Sequence, residues 1–379
     1  MSRDMVAPAL PRIRRLNLSP TLTAYIARQF TTRFLSFFLG LIGIIILVSI
    51  VDLLDRTANK DDVGLTLVVQ MVMLKVPHLS QEVLPFTILF AGMATFWRLT
   101  RSNELVVARS AGVSVWQFML PSILVSTLVG VLAVTLLNPI ASILLGRYEQ
   151  LEARHLNHGA STMAISKTGL WLRQADAQGQ SVIHALRASP DIEELFDVIV
   201  FRFGSGDRFA GRIDAVRAEL HEGSWRLYDA WVMTPGTPAQ FAEQMEIETD
   251  LTPNKILDSF APPETLSFWS LPGFIALLEQ AGFSGNRHRL QFHRLLASPL
   301  LLAAMILIAA SFSLRPQRRG HVGVIILSGI CAGFLLYFFS NFVFALGLSG
   351  KLPVVLAGWS PTGIALMLGA SLLLHLEDG

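Results

Sequence analysis

Apolar windows long enough to cross a bilayer recur along this chain, and one long polar stretch of strand-like character interrupts them. A membrane-spanning helix needs about 20 predominantly apolar residues. Six windows meet that need: Phe34–Val51, Val63–Trp97, Val115–Asn138, Leu295–Leu314, Val322–Leu346 and Leu352–Leu374. The second is over-long and carries Lys75, His78 and Glu82 beside Pro77 and Pro85; the third is predicted to end at the Asn138-Pro139 break. Between spans three and four the pattern changes. Val198–Phe203, Arg208–Val216, Ser224–Met233 and Phe241–Thr249 are β-branched or aromatic runs, separated by Gly204-Ser205-Gly206, Gly223 and Thr234-Pro235-Gly236. Strands at about 8–12-residue spacing predict a sandwich or jelly roll; a few strands packed only against the membrane helices would give the same pattern. Leu266–Ala281, opened by Leu271-Pro272, reads as an amphipathic helix leading back to the bilayer. The predicted fold class is a bundle of six transmembrane α-helices with an inserted β-rich, jelly-roll-like domain. Residues 1–146 hold spans one to three, 147–265 the β-domain, and 266–379 the connecting helix and spans four to six.

Composition agrees with a chain that hides little of its surface from lipid. The 379 residues are 52% hydrophobic and 15% charged, with a mean hydropathy of +0.51, against about 25% charged in an ordinary soluble chain. The arginine-rich start followed by Phe34–Val51 is too long for a signal peptide's apolar core, and no small-x-small cleavage site follows it. It is read as a retained first span. Positive residues stay on the cytoplasmic side. With the N-terminus inside, the inner segments hold twelve arginines, among them Arg28, Arg33, Arg98, Arg101, Arg109 and Arg315, and the short outer loops hold only Arg56, Lys60 and Lys351. Both termini are therefore expected in the cytoplasm and the β-domain across the membrane. The single cysteine, Cys331, rules out a disulfide framework within the chain.

Several chemistries are absent from the sequence. Ser349-Gly350-Lys351-Leu352 lacks the first glycine and the hydroxyl residue of a phosphate-binding loop, and no H-E-x-x-H, C-x-x-C or G-x-S-x-G motif occurs. No catalytic constellation emerges, no cofactor is expected, and nothing calls for nucleic acid. His155 and His158, at i,i+3, fit either a metal or an ordinary interfacial helix end. Lys75, His78 and Glu82 fall on one side of a helix. Charges inside a span are costly and face the bundle interior, so they form either a polar network between spans or an i,i+4 contact at the outer interface. The inner loop from Leu99 to Val115 is the most informative segment. Glu104 and Arg109 bracket Leu105-Val106-Val107-Ala108, a short helix with an acidic start and a basic end that suit its dipole, stopped by Ala111-Gly112. Such a helix either enters a groove of another protein or lies against its own spans.

The run Ser102-Asn103-Glu104-Leu105-Val106-Val107-Ala108-Arg109-Ser110-Ala111-Gly112 resembles the cytoplasmic loop of the permeases that export lipopolysaccharide, the related F-type and G-type subunits of an ABC-type transporter. Thr249-Asp250-Leu251-Thr252-Pro253, Ser311-Phe312-Ser313-Leu314-Arg315-Pro316 and Gly329-Ile330-Cys331-Ala332-Gly333-Phe334 extend the resemblance over essentially the whole chain. The valine pair after Glu104-Leu105 and the Asp-Leu-Thr-Pro element are closest to the G-type. The resemblance implies a bacterial inner-membrane location and a non-catalytic subunit. It implies four partners: a lipopolysaccharide substrate, a cytoplasmic ABC ATPase dimer, a homologous F-type permease, and a membrane-anchored periplasmic bridge protein with its own jelly roll, the C-type. Glu104, Leu105, Val106 and Arg109 would meet the ATPase, and spans one and five would wall the lipid cavity. An anionic lipid headgroup asks for cations at the outer rim; Arg56, Lys60, Arg147 and Arg154 are the candidates, although solvated or snorkelling residues fit there too. Phe334 and Phe338 are candidates for acyl-chain contact, and lipid-facing packing would explain them as well. The competing class is a membrane receptor or sensor with an outer β-domain.

Overall fold

The computed structural model describes residues 20–58, 64–155, 163–166, 169–176, 179–189, 193–204, 208–221, 223–249, 262–280, 284–314 and 322–377. Three long helical passes lead in: α1 (Pro20–Thr57), α2 (Leu65–Arg101), then, after the short α3 (Glu104–Ser110), α4 (Val115–Leu132) continuing into α5 (Asn138–His155). Seven strands follow, β1 (Met163–Ser166), β2 (Gly169–Asp176), β3 (Gly179–Ala188), β4 (Glu194–Gly204), β5 (Arg208–His221), β6 (Ser224–Met233) and β7 (Gln240–Glu248). A 3₁₀ turn (Pro263–Thr265) and α6 (Leu271–Gln280) lead back to α7 (Asn286–Ser313), α8 (Val322–Leu348) and α9 (Val354–Glu377). Six of these passes are long and apolar enough to cross a membrane.

The six predicted spans are present, and most outrun their apolar windows. The 38 residues of α1 extend about 57 Å at about 1.5 Å per residue, nearly twice a hydrocarbon core of about 30 Å. Hydropathy marks only the greasy part of a helix, so polar ends that stay helical escape it. The third pass differs more. The predicted stop at Asn138-Pro139 is instead a π turn over Ala133–Leu137, after which the helix runs on to His155. Pro139 has no N–H to donate, so the Thr135 carbonyl loses its helical partner. The wider turn accommodates the fault, and the indole Nε1–H of Trp269 donates to the Thr135 carbonyl at 3.3 Å.

In the bundle, α7 is central. Leu302 to Ser311 is buried without a break, against α2, α4 and α9. Lipid tails provide no hydrophobic drive between helices, so close backbone approach through small residues holds the passes together. Gly130 of α4 lies on Pro299, Gly358 of α9 on His293, and Gly369 of α9 on Leu307.

The β-domain is one antiparallel sheet in the order β1-β2-β3-β4-β5-β6-β7, every neighbour consecutive. It is β-rich as predicted, but among the described residues it is an up-and-down meander without the Greek-key crossings of a sandwich. The sheet is rolled. Thr249, just past β7, donates its hydroxyl to the Gln174 side-chain oxygen on β2 at 2.6 Å, and the Gln174 amide donates to the Glu248 carbonyl at 3.1 Å. Flat, five strand spacings would separate β2 from β7 by about 24 Å at about 4.8 Å each. Asp197 on β4 and Asp229 on β6, both in left-handed backbone (φ 55° and 52°), break the alternation and bend the strands. The inner face collects Leu172, Ile183, Val200, Ile213, Trp225 and Leu227, and Leu278 and Phe274 of α6 pack into it. On the outer face the Tyr228 hydroxyl donates to Glu219 at 2.8 Å, which with Arg217 and His221 nearby holds that carboxyl below its ordinary range.

Candidate coupling helix, apolar wall and internal chamber

At the end of the bundle away from the sheet, α3 is fixed at both ends. Asn103 enters it in left-handed backbone (φ 58°), and the Ser102 hydroxyl donates to the Glu104 carboxylate at 2.8 Å. At its close, Gly112 (φ 82°) donates to the Arg109 carbonyl and Val113 to that of Ala108. Ser114 and Gln117 then form a capping box that starts α4. Among the four predicted contact residues the helix divides. Leu105 is only 5% exposed and is buried in the bundle core, where it anchors the helix. Glu104 is half-buried, and Val106 and Arg109 are exposed. Val107, outside the predicted set, is 66% exposed beside Val106 at 61%. Only one side of so short a helix can face the spans, and because Leu105, Val106 and Val107 are all apolar, packing decides which of them does.

Along the spans, α1 leans on α2, and α8 on α9, α7 and α2, and both leave most of their surface uncovered. Leu39, Leu47 and Val51 are exposed on α1, and Phe334, Leu335, Phe338 and Phe342 on α8. Phe86 of α2 touches Phe334 and Tyr337, with ring centres 6.0 and 5.8 Å apart, so it seats α8. The other face of α8, with Gly333 and Leu336, is turned inward. Phe334 and Phe338 thus share one outward apolar wall.

The predicted rim cations do not form one cluster. Arg56, at the end of α1, pairs with Asp52 at 3.1 Å and reaches Glu152 of α5 at 3.8 Å, so its charge joins two helices of its own chain. Arg147 is exposed on α5. α5 remains helical through position 154, but Lys60 and the Arg154 side chain lie outside the described residues. His155 contacts the Leu151 carbonyl at 3.0 Å; His158 also lies outside the described residues. No metal-binding group of three occurs among the described residues.

The charges in span two have two surroundings. Lys75 lies over the Tyr148 ring at 5.1 Å. His78 and Glu82, 3.6 Å apart, face a chamber of about 240 Å3 between α2, the π turn, α7, α8 and α9. The predicted i,i+4 contact and the predicted network facing the bundle interior therefore coexist. Among the chamber's other polar groups are Gln81, Glu264, Gln291, Arg294 and Asn341, none of which stands out on its own in the sequence. Their one local signal is the Asn138-Pro139 pair: the Asn138 amide donates to Gln81 at 3.3 Å, and its oxygen accepts from the Phe268 N–H at 2.8 Å, which draws the returning segment over the chamber mouth.

Six crossing helices around a buried central pass, with a rolled sheet inserted between two sets of three, define a multi-pass membrane protein with an extramembrane β-domain. The family described as lipopolysaccharide export system permease LptF/LptG matches residues 24–375, and the chain belongs to that family. It is 24% identical over 366 residues to the lipopolysaccharide export system permease protein LptG of Escherichia coli (strain K12), covering 93% of this chain and 98% of that one. To the protein of the same name from Haemophilus influenzae it is 24% identical over 329 residues, 84% and 88% of the two chains.

Proposed function

We propose that this chain is the G-type permease subunit of an ABC-type transporter that extracts lipopolysaccharide from the bacterial inner membrane and drives it toward the outer membrane. Both termini would be cytoplasmic and the rolled sheet periplasmic, in keeping with the arginines gathered at one end of the spans. The observation that carries the reading is α3: a short helix anchored by Leu105, with Glu104, Val106, Val107 and Arg109 left to meet a partner. A subunit with no phosphate-binding loop needs a separate ATPase dimer, and α3 can receive its push. Tight turns on either side tie it to α2 and to the capped start of α4, so movement of the one helix shifts two spans.

The wall of α1 and α8 would face the matching wall of an F-type partner across the lipid cavity. Arg56 and Arg147, with Lys60 and Arg154, are proposed as rim cations for lipid phosphate. Arg147 is the strongest of them, since Arg56 already pairs with Asp52. Lipid would leave past the rolled sheet, whose outermost strands β1 and β7 offer unpaired backbone groups to the C-type bridge.

The test is the double variant Val106→Glu/Val107→Glu, with Glu104→Arg in parallel. Both are expected to insert normally, to lose co-purification of the ATPase and to reduce export at least about tenfold, the loss of about 1.4 kcal/mol of docking energy. Undiminished co-purification and export in inserted variants would remove α3 from the coupling role.

A further inference from the structure

Two arginines approach one another between the first two spans, and no acid among the described residues offsets them. The Arg98 guanidinium of α2 donates to the Gln29 side-chain oxygen of α1 at 2.6 Å, and Arg33 follows Gln29 by one turn on the same flank of α1. Arg33 forms no hydrogen bond or ion pair among the described residues, and the one charge among them that bears on it is the like charge of Arg98. Its side chain is half-buried, and only its Nε is sealed from solvent, so the outer end of the guanidinium is open to a ligand. Arg98 is exposed. Arg101, over the Trp97 ring at 5.3 Å, adds a third cation at the same end. Like charges held together repel, and a phosphate set between two guanidiniums turns that repulsion into two charge-assisted pairs.

Depth then sets the shape of the ligand. Arg33 stands directly before the apolar window Phe34–Val51, where the span enters the bilayer. One turn deeper, Phe37 of α1 and Phe90 of α2 meet with ring centres 6.5 Å apart, and neither ring is fully covered. Gly40 continues the same flank, and a Cβ there would meet nothing within 4 Å, so an apolar chain has room to lie along the helix. A carboxylate on a soluble partner would reach exposed Arg98 and stop short of Arg33, and inorganic phosphate would make no use of the aromatic floor. Cations at headgroup level above an apolar flank fit a lipid.

We propose that the flank between α1 and α2 binds a phospholipid with a net-negative headgroup, of the phosphatidylglycerol type, its phosphate bridging Arg33 and Arg98 and one acyl chain running over Phe37 and Phe90 toward Gly40. Headgroup choice follows from charge. Ethanolamine and choline headgroups bring a cation of their own to a pair of cations with no carboxylate to receive it, and a glycerol headgroup brings none. The bound lipid ties the start of α1 to α2. This site lies at the α3 end of the spans, at the opposite end of α1 from Arg56, and it does not depend on which permease subunit the chain is.

The experiment uses the full-length protein with its co-purifying partners, in nanodiscs of equal phosphatidylglycerol, phosphatidylethanolamine and phosphatidylcholine. Retained lipid is read by native mass spectrometry after release from the discs. The wild type is expected to retain phosphatidylglycerol at about tenfold preference over either zwitterionic lipid, the worth of one charge-assisted hydrogen bond. Arg33→Gln should lower that retention about tenfold, and Arg33→Lys, which keeps the charge, should hold most of it. Arg28→Gln is the control: Arg28 is exposed on another side of α1, and its loss should leave retention unchanged. Excess inorganic phosphate should leave the lipid in place. Equal retention of the three lipids by the wild type, full retention in Arg33→Gln, an equal loss in Arg28→Gln, or displacement by inorganic phosphate would each overturn the proposal. Where Arg33→Gln fails to insert, Arg98→Gln removes the other half of the bridge and is read in the same way.

Discussion

Single residues fix how closely the passes approach. A Cβ added at Gly130 would lie 2.6 Å from the Pro299 Cα, a backbone atom that cannot swing aside. At Gly43, on the uncovered side of α1, the same atom would meet nothing within 4 Å. Gly130→Ala is therefore expected to push α4 away from α7 and to destabilise the bundle by about 1–3 kcal/mol, in the range of core overpacking. Gly43→Ala should leave stability unchanged or raise it slightly, since alanine is the better helix former. Thermal unfolding in detergent, read side by side for the two, checks this; equal midpoints would mean that the α4–α7 contact yields without cost. Composition points to glycine in a membrane helix as an interface residue in general. Which glycine meets a backbone and which meets lipid is not legible locally.

At the scale of elements, the informative one is the faulted third pass. Its Asn138-Pro139 pair reads as a helix stop, and the structure uses it as a docking point. Pro139 frees the Thr135 carbonyl for Trp269, and Asn138 holds the Phe268 N–H. The chain leaving the rolled sheet is thus pinned to a span. Asn138→Ala should release that pin: amide hydrogen exchange at Phe268 is expected to rise about 5- to 150-fold, in line with a hydrogen bond of about 1–3 kcal/mol. Exchange as slow as in the wild type would show that Trp269 and the 3₁₀ turn suffice. Strands β6 and β7 were legible from the sequence almost to the residue, whereas β4 begins four residues before the predicted Val198 and β5 runs five residues past the predicted Val216. Strands β1 to β3 were not, because the short β1 and the polar ends of β2 and β3 carry little alternating apolar signal. They are strands by pairing with their neighbours.

At the scale of the whole molecule, two sides of α8 have different fates. Phe338 and Phe342 face outward with α1, and Leu336 faces the chamber and core. If the outward wall lines the lipid path, a photo-reactive residue at Phe338 or Phe342 should give lipopolysaccharide adducts in cells and one at Leu336 should not. Adducts at Leu336 alone would move the path inside the subunit.

The sequence by itself determined the number of spans, their grouping into two sets of three, the β-rich insert between them and a short amphipathic helix in the first inner loop. Each of these depends on hydropathy, period and charge, which are properties of a residue and its near neighbours along the chain. Tertiary structure alone decided that the sheet rolls until Gln174 reaches Thr249, that Leu105 turns inward and Val107 outward, and that Gln81, Glu264, Gln291 and Arg294 surround one chamber. Those residues are far apart in the chain. They meet because closing the backbone over small residues and satisfying buried polar groups are requirements of the packed bundle, which no local window contains.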